Sequence, residues 1–137
     1  MSTHSAGLAT EGTIHEVLGI RGIEMSADRV VLEMDVGPKV HQPMGLLHGG
    51  ASAVIAESAA SMGAFLNCDP SKEYVVGVDL NITHLRARQD GSVKAIATPI
   101  RKGRTVQVWS IDITDQDGKD VAVARCTLAV RPLAQGG

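Results

Sequence analysis

Aromatic residues are almost absent from this 137-residue chain: Trp109, Tyr74 and Phe65 are the whole supply. So few rings leave no platform on which bases could stack, and no long basic run appears, so nucleic acid is not an expected partner. Cysteine is scarce too. Cys68 and Cys126 lie outside any CxxC pair or metal spacing and read as packing residues of a reducing compartment. The chain lacks a basic-then-apolar leader and any uninterrupted apolar stretch of about 18 residues, which predicts no secretory signal, no membrane span and a cytoplasmic protein. Its five histidines show neither HxH nor HExxH spacing, so no metal centre is expected, and without GxSxG a serine-hydrolase triad is not expected either. Nothing in the sequence calls for a cofactor.

What is present suits one compact domain. Hydrophobic residues make up 44% of the chain, mostly small aliphatics, and the formal net charge is −2. Residues 1–12 read as a flexible N-terminal tail, residues 13–132 as the domain and residues 133–137 as a C-terminal tail. Thr13–Leu18 suits a short helix and Arg29–Val36 a strand, followed by a loop over Gly37–Leu47 broken by Pro38, Pro43 and Gly45. From His48 to about Leu66 the pattern is helical. The period then becomes two, with Val76, Val78, Leu80 and Ile82 expected on one face of a long strand and Asp79, Asn81 and Thr83 opposite. Strands follow near 93–100, 105–114 and 120–130, with Asp90-Gly91, Lys102-Gly103 and Asp117-Gly118 as hairpin turns. One strand, one long helix and four more antiparallel strands predict an α+β fold, the sheet wrapped around a long central helix. That helix is apolar or small nearly all round, as in helices enclosed on most sides. One sheet encloses it poorly, so a homo-oligomer is expected.

Glu57 is the only ionisable side chain between Gly49 and Leu66. A carboxylate is costly to bury unless it is paired, hydrogen-bonded or protonated, which marks a functional position. On its own, the position is equally compatible with a carboxylate turned to solvent. Ser61, one turn on, shares its face and could hold a water or the carboxylate, or serve only as a small packing residue. His48-Gly49-Gly50 opens the helix, where unpartnered N–H groups and the positive dipole end suit an oxyanion hole, or merely a glycine turn. Gln42 and His48 end a loop that can fold over this helix start. Gln42 is a possible donor to a carbonyl or a plain loop residue, and His48 either orients a substrate or caps the helix. Gly49 and Glu57 are eight residues apart, roughly 12 Å along a helix axis. If both act on one carbonyl they belong to different subunits related by a two-fold axis. Gly77 within a strand suggests close approach of a ligand, and Arg101, Lys102 and Arg104 gather charge on one turn, suited to phosphates or simply to solvent.

The stretch HQPMGLLHGGASAVIAESAASMG, continued by VVGVDLNITHLR, PIRKGR and TLAV, resembles the hotdog-fold acyl-CoA thioesterases over roughly residues 29–131. The actinobacterial 4-hydroxybenzoyl-CoA type and the enterobacterial aryl-CoA and proofreading types are the nearest. The resemblance implies a hotdog fold and hydrolysis of acyl- or aryl-CoA, with acyl carrier protein as a further possible partner. It matches Glu57 to the general base or nucleophile, Gly49 to the amide that polarises the carbonyl from the neighbouring subunit, and Gln42 and His48 to the residues flanking that carbonyl. Ser61 matches the hydroxyl that holds the attacking water. Gly77 and His84, Leu85, Arg86 and Ala87 match the acyl and pantetheine path. Arg101, Lys102, Gly103, Arg104, Thr105 and Val106 match the turn that meets the CoA nucleotide. The resemblance also implies a homotetramer built from the dimer. Met44 and Leu85 depart from the family's pattern at the acyl pocket.

Overall fold

The computed structural model describes residues 7–134; residues 1–6 of the expected N-terminal tail and 135–137 of the C-terminal tail lie outside the described residues. Within the remainder of the expected N-terminal tail, Leu8 is buried and joins the core. A short helix, α1 (Ile14–Leu18), is capped by Thr13 Oγ1, which accepts from the His15 amide, and ends at Gly19 in the left-handed conformation. Strands β1 (Arg21–Met25) and β2 (Val30–Asp35) follow, then a 3-10 turn at Pro38–Val40 and the long helix α2 (Gly49–Phe65). Strands β3 (Glu73–His84), β4 (Ser92–Lys102), β5 (Val106–Asp115) and β6 (Asp120–Pro132) complete a six-stranded antiparallel sheet in the order β1-β2-β4-β5-β6-β3. This is the expected sheet wrapped around one helix. Among the described residues no helix is long and apolar enough to cross a membrane.

Three expectations need correction. The strand β1 was not expected: Arg21-Gly22-Ile23-Glu24-Met25 shows no alternation, and its pairing with β2 is broken by a bulge between Gly22 and Glu24. Asp90-Gly91 is no hairpin turn. The chain passes there from β3 at one edge to β4 in the middle of the sheet, because β3 pairs with β6 and β4 lies between β2 and β5. Local turn chemistry does not choose a strand's partner. Finally, Val76 and Val78 do not share a face with Leu80 and Ile82. Gly77 pairs with Leu128 and Asp79 with Thr127, so Val78 is an extra residue that reverses the alternation. Val75, Leu80 and Ile82 pack on the core, whereas Val76 and Val78 are exposed.

Although α2 is apolar nearly all round, its burial follows a helical period. Ser52, Ile55, Ala56, Ala59, Ala60 and Gly63 turn to the sheet, where small side chains allow close approach. Asn67 Nδ2 donates to the Gly63 and Ala27 carbonyls, satisfying an end of α2 and tying it to the β1–β2 turn. Fully buried Trp109 fills the centre of the contact. Its Nε1 donates to Gln107 Oε1 at 2.9 Å, and Gln107 Nε2 donates to the Ala64 carbonyl at 3.3 Å, so both buried polar groups are satisfied. A Cβ on Gly63 would come within 2.5–2.8 Å of the indole ring. Trp109→Ala therefore removes the ring on which α2 rests and leaves a large void, and is expected to cost about 3–5 kcal/mol in denaturant unfolding.

Candidate active site

His48 is the N-cap of α2: its Nδ1 accepts from the Gly50 amide at 2.7 Å. Of the two roles open to this residue, capping is the one formed here, and it fixes the ring at the helix start. The Gly49 amide has no acceptor among the described residues. It stands as a free donor at the positive end of the helix dipole. The His84 ring lies directly over Gly49, where a Cβ would fall 2.8 Å from its Nε2. Glycine is thus needed for His84 to come so close to that amide.

Gln42 is held by its own loop. Its Oε1 accepts from the Met44 and Leu46 amides, and its backbone amide donates to the Leu46 carbonyl at 2.8 Å. With the oxygen engaged, the Nε2 amide is the half left to donate outward. Gln42, Gly49, His84, Leu85, Arg86 and Ala87 line one cavity of about 360 Å³, together with Leu46, Leu47, Ser52 and Val121. Six residues expected at the carbonyl and on the acyl path are therefore gathered in one place.

Glu57 is not among them. It lies further along α2, in a second cavity of about 520 Å³, with Ser61 one turn away. In the single chain its residue is exposed, on the side of the helix that one sheet leaves uncovered. The sheet covers one side of α2, and the other side bears Val54, Glu57, Ser58, Ser61, Met62 and Phe65 at helical spacing. Leu8, Ile14 and His15 form one wall of this cavity and Val75 of β3 another. The helix spacing alone could have found Val54, Ser58, Met62 and Phe65. No local signal pointed to Leu8 or His15.

Gly77 also proves informative. A Cβ there would collide with Glu57 Oε2 and sit 3.1 Å from its Cδ. The close approach inferred for Gly77 is thus made by the carboxylate itself. Gly77→Ala should displace Glu57 by about an ångström and lower kcat about 10–100-fold with the fold intact, as read by steady-state kinetics beside a melting curve.

Both thiols are held toward their protonated forms. Burial pushes Cys126 up to about 12, with the Glu57 and Asp79 charges adding to the effect. Burial likewise raises Cys68, with Glu73 and Asp69 contributing. Arg101, Lys102, Gly103, Arg104, Thr105 and Val106 occupy the β4–β5 turn and its strand ends, and none lines either cavity. Lys102 pairs there with Asp28. A Cβ on Gly103 would collide with the Val106 carbonyl, so this glycine serves the turn itself.

Known proteins agree with this architecture. The family model described as the thioesterase superfamily matches residues 44–122. The 1,4-dihydroxy-2-naphthoyl-CoA hydrolase of Listeria monocytogenes is 43% identical over 118 residues, 86% of this chain and 95% of that protein. The proofreading thioesterase EntH of Cronobacter turicensis is 36% identical over 130 residues, 95% of this chain and 94% of its own. Among solved structures, a mutant of the thioesterase PA1618 from Pseudomonas aeruginosa superposes with a TM-score of 0.88 at 44% identity, covering 90% of this chain and 89% of that one. With a helix-wrapping antiparallel sheet and a family match over more than half its length, this chain is a hotdog-fold enzyme that belongs to the thioesterase superfamily.

Proposed function

We propose that the chain hydrolyses acyl- or aryl-CoA thioesters to the free acid and CoA, at a site completed by two copies of itself. The observation that carries this reading is the division of hydrolytic equipment along α2. A carbonyl-polarising pocket sits at Gly49 and a carboxylate pocket at Glu57, in two separate cavities. An antiparallel pair of α2 helices brings the Glu57 of one copy to the Gly49 of the other. The free edge of β3 supports such pairing. It is twelve residues long, last in the sheet, and carries exposed Tyr74, Val76 and Val78, an edge that needs covering. A homotetramer is then two such dimers.

In this reading the thioester oxygen accepts from the Gly49 amide and Gln42 Nε2, with His84 beside it. Ser61 holds a water. Glu57 takes its proton as the hydroxide adds to the carbonyl carbon, or attacks that carbon itself to give an anhydride that water then opens. Negative charge collects on the oxygen between the two donors and returns as the C–S bond breaks. The sulfur leaves as thiolate and takes up the proton. Leu85, Arg86 and Ala87 flank the acyl and pantetheine path, and the cationic β4–β5 turn from Arg101 to Val106 meets the nucleotide phosphates. Acyl carrier protein is a second possible thiol carrier. Two free thiols suit a reducing cytoplasm.

Release of free CoA, followed with a thiol-reactive dye over aromatic, short-chain and long-chain thioesters, tests the reading. Turnover of at least one class is expected. Tight binding with no thiol released would reduce the chain to an acyl-CoA binding module, and formation of an enoyl product would make it a dehydratase.

A further inference from the structure

One polar pair in the Glu57 cavity has no part in the hydrolysis just described. His15, from α1, and Ser58, from α2, both line the cavity, 43 residues apart in sequence. The His15 ring is held at both nitrogens: Nδ1 lies 2.9 Å from the Ala9 carbonyl oxygen and Nε2 lies 2.8 Å from Ser58 Oγ. These two contacts fix the tautomer. A carbonyl oxygen only accepts, so Nδ1 carries the proton and Nε2 of the neutral ring is an acceptor. The donor facing Nε2 is then the Ser58 hydroxyl. A serine within a helix otherwise turns its proton to the carbonyl one turn back or to water. Here that proton is committed to His15, which leaves the lone pairs of Ser58 Oγ as an acceptor on the cavity wall.

The rest of the wall is apolar apart from Glu57 and Ser61: Leu8, Ile14, Val54, Met62, Phe65 and Val75. An acceptor set in such a lining is satisfied by a ligand that brings a donor, and is left unpaired by one that does not. Resting on the thioesterase reading above, we infer that His15 is a specificity-determining residue that fixes Ser58 as a hydrogen-bond acceptor, and so selects acyl groups whose apolar body carries a hydroxyl. His15 acts through Ser58 and is a positioning residue. The selection depends on the arm that carries His15. Thr13 Oγ1 ties this arm to the Thr10 carbonyl, and buried Leu8 anchors it in the core.

The readout is a ratio of kcat/KM values for thioesters differing by one hydroxyl: benzoyl-CoA against its ortho-, meta- and para-hydroxy derivatives. The intact enzyme should prefer at least one hydroxylated isomer by about tenfold, the worth of one neutral hydrogen bond. Ser58→Ala should bring that ratio to about one, and His15→Leu, which frees the Ser58 proton to face the ligand, should lower it several-fold. His15→Gln, which can offer its Oε1 where Nε2 stood, should restore most of it. A mere tether of the N-terminal arm would change all four rates together and leave the ratio standing, which would overturn the inference, as would an intact enzyme indifferent to the hydroxyl. Glu57→Gln assayed alongside separates the two claims. Lost turnover there with an unchanged ratio in His15→Leu removes His15 alone, whereas full turnover in Glu57→Gln removes both.

Discussion

Glu57→Gln is expected to lower kcat about a thousandfold or more while KM and the melting temperature change little. The substitution keeps the size and most of the shape of the side chain and removes only its capacity to take a proton or to attack. Both chemical routes need that capacity, so the loss does not depend on choosing between them. An interaction made only as the reaction proceeds is lost from kcat and kcat/KM alike, whereas one that merely held substrate would raise KM. Folding should be indifferent, because Glu57 makes no hydrogen bond or ion pair among the described residues and lies on the exposed side of α2. Steady-state hydrolysis with a parallel thermal melt distinguishes the cases. Activity within a few-fold of the unaltered enzyme would remove Glu57 from the chemistry.

That residue also shows how far sequence reasoning reached. A single carboxylate among small apolar residues on a helix is an anomaly of composition, visible without coordinates. So was the helix start at Gly49, because glycine after a histidine N-cap is a local arrangement. The strand near 105–114 was legible as well, and in β5 every second residue, Gln107, Trp109, Ile111, Ile113 and Asp115, is buried. What stayed hidden depends on partners distant in the chain. The bulge at Val78 is set by how β3 meets β6, and one extra residue turned two valines outward. Strand β1 exists because β2 offers it an edge, not because Arg21–Met25 has strong strand character. His15 lies on a helix whose presence was legible, yet nothing in TIHEVL points to Ser58. The exposure of Glu57 in the single chain was one of two readings that composition left open. Composition says that the helix needs more cover than one sheet gives, but not how a second copy would sit against it.

Mixing two inactive variants should restore activity. Gln42→Glu keeps an oxygen for the Met44 and Leu46 amides, so the loop should hold, but replaces the outward donor with a negative charge facing the forming oxyanion. Alone it is expected to lose about a hundredfold or more in kcat, as when an oxyanion donor is removed. When it is co-expressed with Glu57→Gln and the subunits assort at random, about half of the dimers are mixed. In each mixed dimer one site joins the intact Glu57 of one chain to the intact Gln42 of the other, and the second site carries both lesions. Activity should therefore return to about a quarter of the unaltered level, well over tenfold above either variant. If both groups act within one chain, no arrangement of these subunits contains an intact site, and the mixture stays at the average of its parts. Eight residues of helix, roughly 12 Å, separate Gly49 from Glu57 and leave no intermediate outcome.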